Sequence, residues 1–154
     1  GRFAKACNST RFLYRVGHTT SLHMKVRLLT VGSFKSRECK ELTQYYLKLC
    51  GKFADVSCEA LPCKDEREQS AALEKFLEKK SRFHLTILDE KGATFSSMAF
   101  SKQIEKIQGG SHSEWIIVIS GAKGFDEPLK KRANLLLSLS PLTFPHEMAV
   151  VVLC

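Results

Sequence analysis

The stretch WIIVI, Trp115–Ile119, is the most strand-like run in this 154-residue sequence. Nearly all of its residues are β-branched, and no polar residue interrupts it to form a solvent-facing side. Unbroken apolar strands of this kind are typical of a parallel sheet that is covered on both faces. The stretch therefore predicts a central, buried strand in an α/β protein.

Short apolar runs and longer amphipathic segments alternate on both sides of this strand. The pattern predicts an α/β fold with a mainly parallel five-stranded sheet and helices on both faces. The predicted strands are Val26–Val31, Ala54–Leu61, Leu85–Leu88, Trp115–Ile119 and Leu135–Leu139. The predicted helices are Ser36–Leu49, Asp65–Lys80, Ser96–Ile107 and Asp126–Asn134.

Two local features of this pattern give more detailed expectations. The turn-prone stretch Asp89–Gly92 is predicted to end the third strand. In the first helix, apolar residues at steps of three and four form one face. The residues of that face are Cys39, Leu42, Tyr46 and Leu49.

The composition is that of an ordinary folded domain, with 44% hydrophobic and 26% charged residues. The longest apolar runs, Ile116–Ile119 and Ala149–Cys154, are far shorter than the roughly 20 residues that a membrane helix needs. The composition therefore excludes an integral membrane protein. A chain of this length suits one domain, which we place at residues 24–154.

The first 23 residues hold four of the 24 basic residues and none of the 16 acidic ones. A leader that contains Arg, Ser and Thr but no acidic residue is typical of an organelle transit peptide. We therefore expect residues 1–23 to be a disordered leader. We also expect the protein to be imported into a chloroplast or mitochondrion. A basic arm that contacts nucleic acid directly, in a cytoplasmic protein, is the alternative.

The six cysteines form no C-x-x-C pair. Cys58 and Cys63 are spaced closely enough to suggest zinc, but neither a second pair nor a nearby histidine supports them. We therefore expect isolated thiols in apolar surroundings and no metal.

Ligands of parallel α/β sheets bind at the carboxyl ends of strands, which points to Leu88–Gly92, Ser120–Phe125 and Ser140–His146. The second of these follows the buried strand as ISGAKGF, Ile119–Phe125. Gly121 and Gly124 would permit positive φ and a close approach of backbone N–H groups to a ligand. The alternative is that the segment is only a turn.

The third place is the stretch LSPLTFPHE, Leu139–Glu147. Pro141 and Pro145 each fix a φ angle, so the loop is stiff and its backbone polar groups are held in place. Flanked by Leu142 and Phe144, such a loop suits a flat heteroaromatic group such as adenine. The alternative is a simple connection to the final segment.

Three segments together resemble the RlmH family: MKVRLLTVG (Met24–Gly32), ISGAKGF, and SLSPLTFPHEMAVVVL (Ser138–Leu153). Members of this family are SPOUT-class methyltransferases that use S-adenosylmethionine to methylate N3 of a pseudouridine in large-subunit ribosomal RNA. The likeness spans Met24 to Cys154 in order and without large gaps.

This resemblance implies a trefoil-knotted α/β fold, an obligate homodimer, and a methyl donor bound in the knot loops. Carried over position by position, the cofactor contacts fall on residues of the three strand-end loops. These are Leu88, Ser120, Leu139, Ser140, Pro141, Leu142, Thr143 and Phe144, with Gly121 and Gly124 shaping the loop.

The sequence departs from the family pattern in two places. Ser120–Gly121 stands where members usually have two glycines, which narrows the pocket. Members of the family also continue beyond the position of Cys154, through a long helix and a tail rich in His, Tyr and Arg. We therefore expect a domain that lacks its C-terminal helix and tail, with a knot that could be incomplete.

The chemistry requires a base, because N3 of a uracil-type ring carries a proton at neutral pH. The sequence places no residue clearly in this role. His146 is a candidate, although a histidine beside proline is more often a structural hydrogen-bonder. Four basic residues near the cofactor loop could hold ribosomal phosphates or simply form a solvated helix face. They are Lys123, Lys130, Lys131 and Arg132.

The resemblance thus implies an RNA methyltransferase whose cofactor is S-adenosylmethionine and whose partners are ribosomal RNA and a second copy of the chain. The alternatives are a non-catalytic RNA-binding or ribosome-assembly module and an inactive truncated form of the same fold.

Overall fold

A computed structural model describes residues 22–61, 63 and 67–154, without the side chains of residues 22 and 23. The strands are β1 (Leu22–Val31), β2 (Ala54–Leu61), β3 (Phe83–Thr94), β4 (Glu114–Ile119) and β5 (Leu135–Ser138). The helices are α1 (Arg37–Cys50), α2 (Gln69–Leu77), α3 (Ser97–Gln108), α4 (Glu127–Arg132) and α5 (His146–Leu153). The strands form one sheet in the order β2-β1-β4-β3-β5, and every pairing is parallel. The predicted α/β class is confirmed.

The predicted leader lies outside the described residues, except where β1 begins at Leu22. Among the helices of the described part, none has the length and apolar character needed to cross a membrane.

Strand β4 is the centre of the sheet, and all six of its residues are buried. It pairs with β1 on one side and β3 on the other, so that Ile117 lies opposite both Leu28 and Thr86. Its side chains alternate between two hydrophobic cores, one on each face of the sheet. An apolar run with no polar interruption is what two covered faces require, as the sequence predicts.

Helices cover both faces of this sheet. On the first face, the one to which Ile116 points, Leu73 of α2 and Leu129 of α4 pack in the same hydrophobic core as Ile116. On the second face, α1, α3 and α5 surround Trp115, with Ile107 and Val150 buried. Because α4 and α5 lie on opposite faces, the chain between them must cross the edge of the sheet after β5.

Side-chain caps fix where three of the helices begin. The side-chain oxygens of Ser36, Ser96 and Asp126 accept hydrogen bonds from the backbone N–H three residues later, at 3.1–3.2 Å. This satisfies a donor that the first turn of a helix leaves unpaired. Pro128 lies in the first turn of α4, where its missing N–H costs nothing.

The predicted turn at Asp89–Gly92 is wrong, because β3 continues through it to Thr94. Leu88 and Ala93 both pair with Leu137, so the pairing register shifts between them. The four residues form an irregularity inside the strand. Residues with turn propensity are tolerated there because an irregularity releases them from the regular ladder.

The apolar face predicted for α1 is only partly buried, since Cys39 and Leu49 are half-buried and Leu42 and Tyr46 are exposed. Thr43 is the buried residue of this helix, and Leu47 packs beside it, while Leu42 is 44% and Tyr46 38% exposed. Helix α2 is also shorter than predicted and spans Gln69–Leu77. The other predicted boundaries lie within a few residues of the observed ones.

A charged network runs across the sheet from Glu114, the first residue of β4. The carboxylate of Glu114, which is only 8% exposed, accepts hydrogen bonds from Arg27 Nε at 2.7 Å and pairs with Lys80 Nζ at 3.0 Å. Arg27 also contacts Glu59 on β2, so the network links β1, β2 and β4. Burial alone would raise the pKa of Glu114, but the bonds from Arg27 and Lys80 and their charges outweigh it and leave the pKa below 4.5.

Because this pKa is lower in the folded chain, Glu114 stabilises the fold above its unfolded pKa and ceases to do so as the pH falls through its folded pKa. We expect the melting temperature of the wild type to fall steeply below about pH 4.5, and that of Glu114→Gln to fall less steeply. Thermal unfolding followed by circular dichroism between about pH 3 and 7 measures both slopes. Glu41→Gln, which removes an exposed carboxylate from α1, is the control. Equal slopes for wild type and Glu114→Gln would contradict the assignment.

Candidate functional site

A cleft of about 890 Å³ lies at the carboxyl edge of the sheet, where β4 and β5 end and β3 becomes irregular. Its walls come mainly from residues 88–91, 119–124 and 137–146. These are the three places predicted from the tendency of ligands to bind at the carboxyl ends of parallel strands. All ten residues predicted as cofactor contacts line it: Leu88, Ser120, Gly121, Gly124, Leu139, Ser140, Pro141, Leu142, Thr143 and Phe144. The fold thus brings residues far apart in sequence into one site.

The glycine loop, Ile119–Phe125, forms one wall as a closed turn. The N–H of Gly124 donates to the carbonyl of Gly121 at 3.0 Å. Gly124 has a φ of 68°, and a Cβ at this position would meet nothing within 4 Å. The left-handed backbone, rather than a lack of space, is therefore what favours glycine here. Gly121 does not have a positive φ, so the predicted freedom is used only at Gly124.

The proline loop, Leu139–Pro145, forms the opposite wall and is held by its own side chains. Ser138 Oγ donates to the carbonyl of Ser140 at 3.0 Å, and the N–H of Leu142 donates to Ser140 Oγ at 3.0 Å. The side chain of Leu142 is 75% exposed at the cleft, whereas Phe144 packs partly into the second-face core. An exposed leucine beside a cleft is apolar surface that a bound ligand can cover.

An ion pair at the end of the regular part of β3 adds charge to the cleft. Lys130 Nζ on α4 lies 2.6 Å from Asp89 Oδ2, and Asp89 Oδ1 accepts the N–H of Lys91 at 2.9 Å. Burial raises the pKa of Asp89, but the bonds from Lys130 and Lys91 and their charges leave it below its ordinary value. The hydrogen bond to Asp89 raises the pKa of Lys130. Sequence reasoning missed Asp89, since a lone acidic residue in a turn-like stretch has no distinguishing spacing.

The four basic residues predicted near the RNA have different surroundings. Lys123 is exposed in the cleft wall, while Lys130 is paired with Asp89 inside it. Lys131 and Arg132 lie outside the cleft lining, and Arg132 Nη1 lies 3.3 Å from Glu74 Oε1 on α2. Among the residues that the structure describes, Lys123 and Lys131 are thus the two exposed members of the set that form no ion pair with an acidic side chain.

His146 begins α5 and lines the cleft, with its side chain 34% exposed. Its Nε2 lies 3.8 Å from the carboxylate of Glu147. That carboxylate accepts the N–H groups of Lys35 and Ser36 at 2.7 and 3.0 Å, which lowers the pKa of Glu147. Glu147 therefore ties the start of α5 to the start of α1 and fixes the position of His146 beside the cleft.

A cleft at the carboxyl edge of a parallel α/β sheet, walled by loops rich in backbone polar groups, is the ligand site of nucleotide-binding α/β proteins. Fold and site together thus define an α/β protein with a ligand cleft at the carboxyl edge of its sheet. The chain belongs to the SPOUT methyltransferase family, whose model, described as "Predicted SPOUT methyltransferase", matches residues 24–154. The family resemblance seen in the sequence is confirmed.

Several bacterial relatives carry the name ribosomal RNA large subunit methyltransferase H. The chain is 33% identical to the one from Streptococcus suis over 141 residues, which cover 84% of this chain and 89% of the relative. It is 32% identical to the one from Dictyoglomus thermophilum over 136 residues, covering 84% and 88%. The relative from Bdellovibrio bacteriovorus is 30% identical over 133 residues, covering 82% and 85%.

Proposed function

We propose that this protein transfers a methyl group from S-adenosylmethionine to N3 of a pseudouridine in large-subunit ribosomal RNA. Family membership and the names of its relatives support an RNA methyltransferase. The structural observation that carries the proposal is the convergence of three strand-end loops, two of them closed by internal hydrogen bonds, on a single cleft.

The residues of the cleft fit the methyl donor. The volume of about 890 Å³ lies within the range of roughly 300–1,000 Å³ that small-molecule sites occupy. We assign the adenine to the proline loop, where Leu142 offers exposed apolar surface and the backbone of Leu139–Phe144 offers hydrogen-bonding groups. The glycine loop would hold the remainder of the molecule beside Ser120. When bound, S-adenosylmethionine supplies an activated methyl group on a positively charged sulfur.

The main task of the protein is then alignment, because a transferable methyl group needs only correct geometry and an exposed lone pair on the nucleophile. Two loops closed by their own hydrogen bonds limit how far a bound ligand can move. His146, at the cleft and partly exposed, is our candidate to accept the N3 proton on a ring nitrogen. We assign Lys123 and Lys131 to ribosomal phosphates, since both are exposed.

Calorimetric titration of the protein with S-adenosylmethionine tests the first half of this proposal, and we expect saturable binding. The second half is tested by incubating the protein and the methyl donor with large-subunit RNA that lacks the modification, followed by mass spectrometry of nucleosides. We expect N3-methylpseudouridine to appear. Salt-dependent RNA binding without affinity for the methyl donor would instead identify a non-catalytic RNA-binding module.

We also propose that the protein is a homodimer, and an uncovered apolar surface on α1 supports this. Leu42, Tyr45 and Tyr46 are exposed on α1, with the two tyrosine rings edge to face at 5.3 Å. On α5, which contacts α1, Met148 and Val152 are also exposed. Exposed apolar residues grouped on neighbouring helices are typical of protein–protein contacts.

Analytical ultracentrifugation tests the proposed homodimer. We expect the wild type to sediment as a dimer and Tyr46→Glu to sediment as a monomer, because a buried, unpaired carboxylate would oppose association. Lys40→Glu, which also adds an acidic residue to an exposed position of α1, is the control and should remain dimeric. A monomeric wild type would contradict the proposal.

The basic, acid-free leader supports import into an organelle, and we propose a chloroplast or mitochondrion as the destination. Residues 1–23 fused to a fluorescent protein would carry it into one of these organelles. Diffuse cytoplasmic fluorescence would contradict this proposal and favour the cytoplasmic alternative.

A further inference from the structure

We propose that Gln69 is a positioning residue that holds the glycine loop in the shape needed to bind the methyl donor. The inference rests on the proposed function, because it concerns the cofactor affinity of the same cleft. Gln69 lies outside the cleft lining, and it acts through the loop rather than on the ligand.

Gln69 is the first residue of α2, and only 2% of it is exposed. Its Oε1 accepts the N–H of Gly121 at 3.1 Å, and its Nε2 donates to the carbonyl of Gly124. These are the first and last residues of the turn that closes the glycine loop. One side chain thus clamps both ends of the turn that forms a wall of the cleft.

Among the natural side chains of this length, only a carboxamide supplies this pair of bonds at neutral pH. One bond needs an acceptor and the other needs a donor, and the two groups must be attached to the same carbon at the end of the side chain. An ionised carboxylate accepts but cannot donate, and an ammonium group donates but cannot accept. A shorter carboxamide would fall one methylene short of the turn.

The neighbouring contact shows that the start of α2 supports the whole loop. The hydroxyl of Ser70 accepts the N–H of Asp126 at 3.3 Å, one residue beyond the end of the glycine loop. The loop is therefore fixed from α2 at Gly121, Gly124 and Asp126. A loop held in its binding shape before the ligand arrives loses less entropy on binding, which strengthens binding.

The clamp also decides which backbone groups the loop can offer. Gly121 N–H is used by Gln69, so it is not a donor for the ligand. The tip of the turn, Ala122 and Lys123, is exposed and lines the cleft. Loss of the clamp would release Gly121 and let the left-handed Gly124 relax, which changes the wall that the ligand meets.

The decisive experiment uses Gln69→Glu at two pH values. An ionised carboxylate at this position cannot donate to the Gly124 carbonyl, whereas a protonated carboxyl group can both accept and donate, as the carboxamide does. By calorimetry with S-adenosylmethionine, we expect the Kd of Gln69→Glu to exceed that of the wild type by tenfold or more at pH 8. Burial and the facing Gly124 carbonyl both disfavour the charged carboxylate and raise the pKa of the introduced carboxyl group. At pH 5 we therefore expect it to be protonated and the two Kd values to approach each other.

Gln69→Met keeps the length of the side chain and removes both hydrogen bonds, so we expect its Kd to be raised at both pH values. Lys75→Met, an exposed position of the same helix, is the matched control and should bind like the wild type. Circular dichroism and thermal unfolding without ligand show which variants are folded. If Gln69→Met does not fold, the two-pH comparison of Gln69→Glu still tests the inference.

The outcomes separate this inference from the proposed function. A wild-type Kd too weak to measure would overturn the proposed function, and this inference with it. Wild-type binding combined with an unchanged Kd in folded Gln69→Met, or a Kd ratio for Gln69→Glu that does not depend on pH, would overturn the inference alone. Recovery of affinity at pH 5 supports it, since a purely structural defect would not follow the protonation of one side chain.

Discussion

Gly92→Ala is expected to destabilise the protein by about 3 kcal/mol, at the upper end of what overpacking usually costs. Gly92 lies in the irregular part of β3, directly against β5. A Cβ there would lie 2.7 Å from the carbonyl carbon and oxygen of Leu136 and 2.7 Å from the carbonyl carbon of Leu137. Backbone atoms cannot move aside as the end of a flexible side chain can, so β3 and β5 must separate.

The same substitution should weaken cofactor binding, because the proline loop leaves β5 immediately after Ser138. Urea unfolding and calorimetric titration measure the two effects. Gly51→Ala is the matched control: its φ of −58° suits alanine, and its Cβ would meet carbonyl oxygens at an ordinary 3.5 Å. We expect this control to be neutral or slightly stabilising. A Gly92→Ala protein as stable as the wild type would contradict a close approach of β3 and β5 at this position.

The layout of the fold could be predicted from the sequence because each strand is a short apolar run with an amphipathic segment after it. The 3.6-residue and two-residue periods of helices and strands place these runs without knowledge of the tertiary structure. The stretch Asp89–Gly92 shows where this reasoning fails. Its composition is that of a turn, and only the pairing of Ala93 and Thr94 with β5 keeps it within a strand.

The same limit applies to α1. Its apolar pattern identifies a helix correctly, but it does not say which side faces the sheet. Thr43 is buried beside Leu47, while Leu42 and Tyr46 remain on the surface. Helix α1 has apolar residues both on the side that packs against the sheet and on the side that faces solvent. Periodicity alone cannot tell which of the two sides is buried.

The cleft could be located because the carboxyl ends of parallel strands meet at one edge, so three loops distant in sequence had to converge there. The polar residues that support the cleft could not be found in this way. Asp89 and Gln69 each stand alone in a charged segment, with no partner at a helical or strand spacing. Their roles depend on contacts with Lys130 and with the glycine loop, which only the fold creates.

Leu129→Ala is expected to lower the free energy of unfolding by about 2–5 kcal/mol, the cost of a cavity in a packed core. Leu129 is fully buried and is the buried residue of α4, a helix of six residues. A helix this short has little stability of its own and depends on its packing. Because α4 also carries Lys130, which pairs with Asp89 in the cleft, its displacement should reduce affinity for the methyl donor as well.

The matched control is Leu142→Ala, the same substitution at a side chain that is 75% exposed on the proline loop. Removing an exposed side chain should leave the urea midpoint within error of the wild type. If Leu142 covers the adenine, however, the Kd for S-adenosylmethionine should rise severalfold. Leu129→Ala would thus lose stability and affinity together, and Leu142→Ala affinity alone. Unchanged affinity in Leu142→Ala would show that the Leu142 side chain does not contact the ligand. The assignment of the adenine to the proline loop would then be wrong.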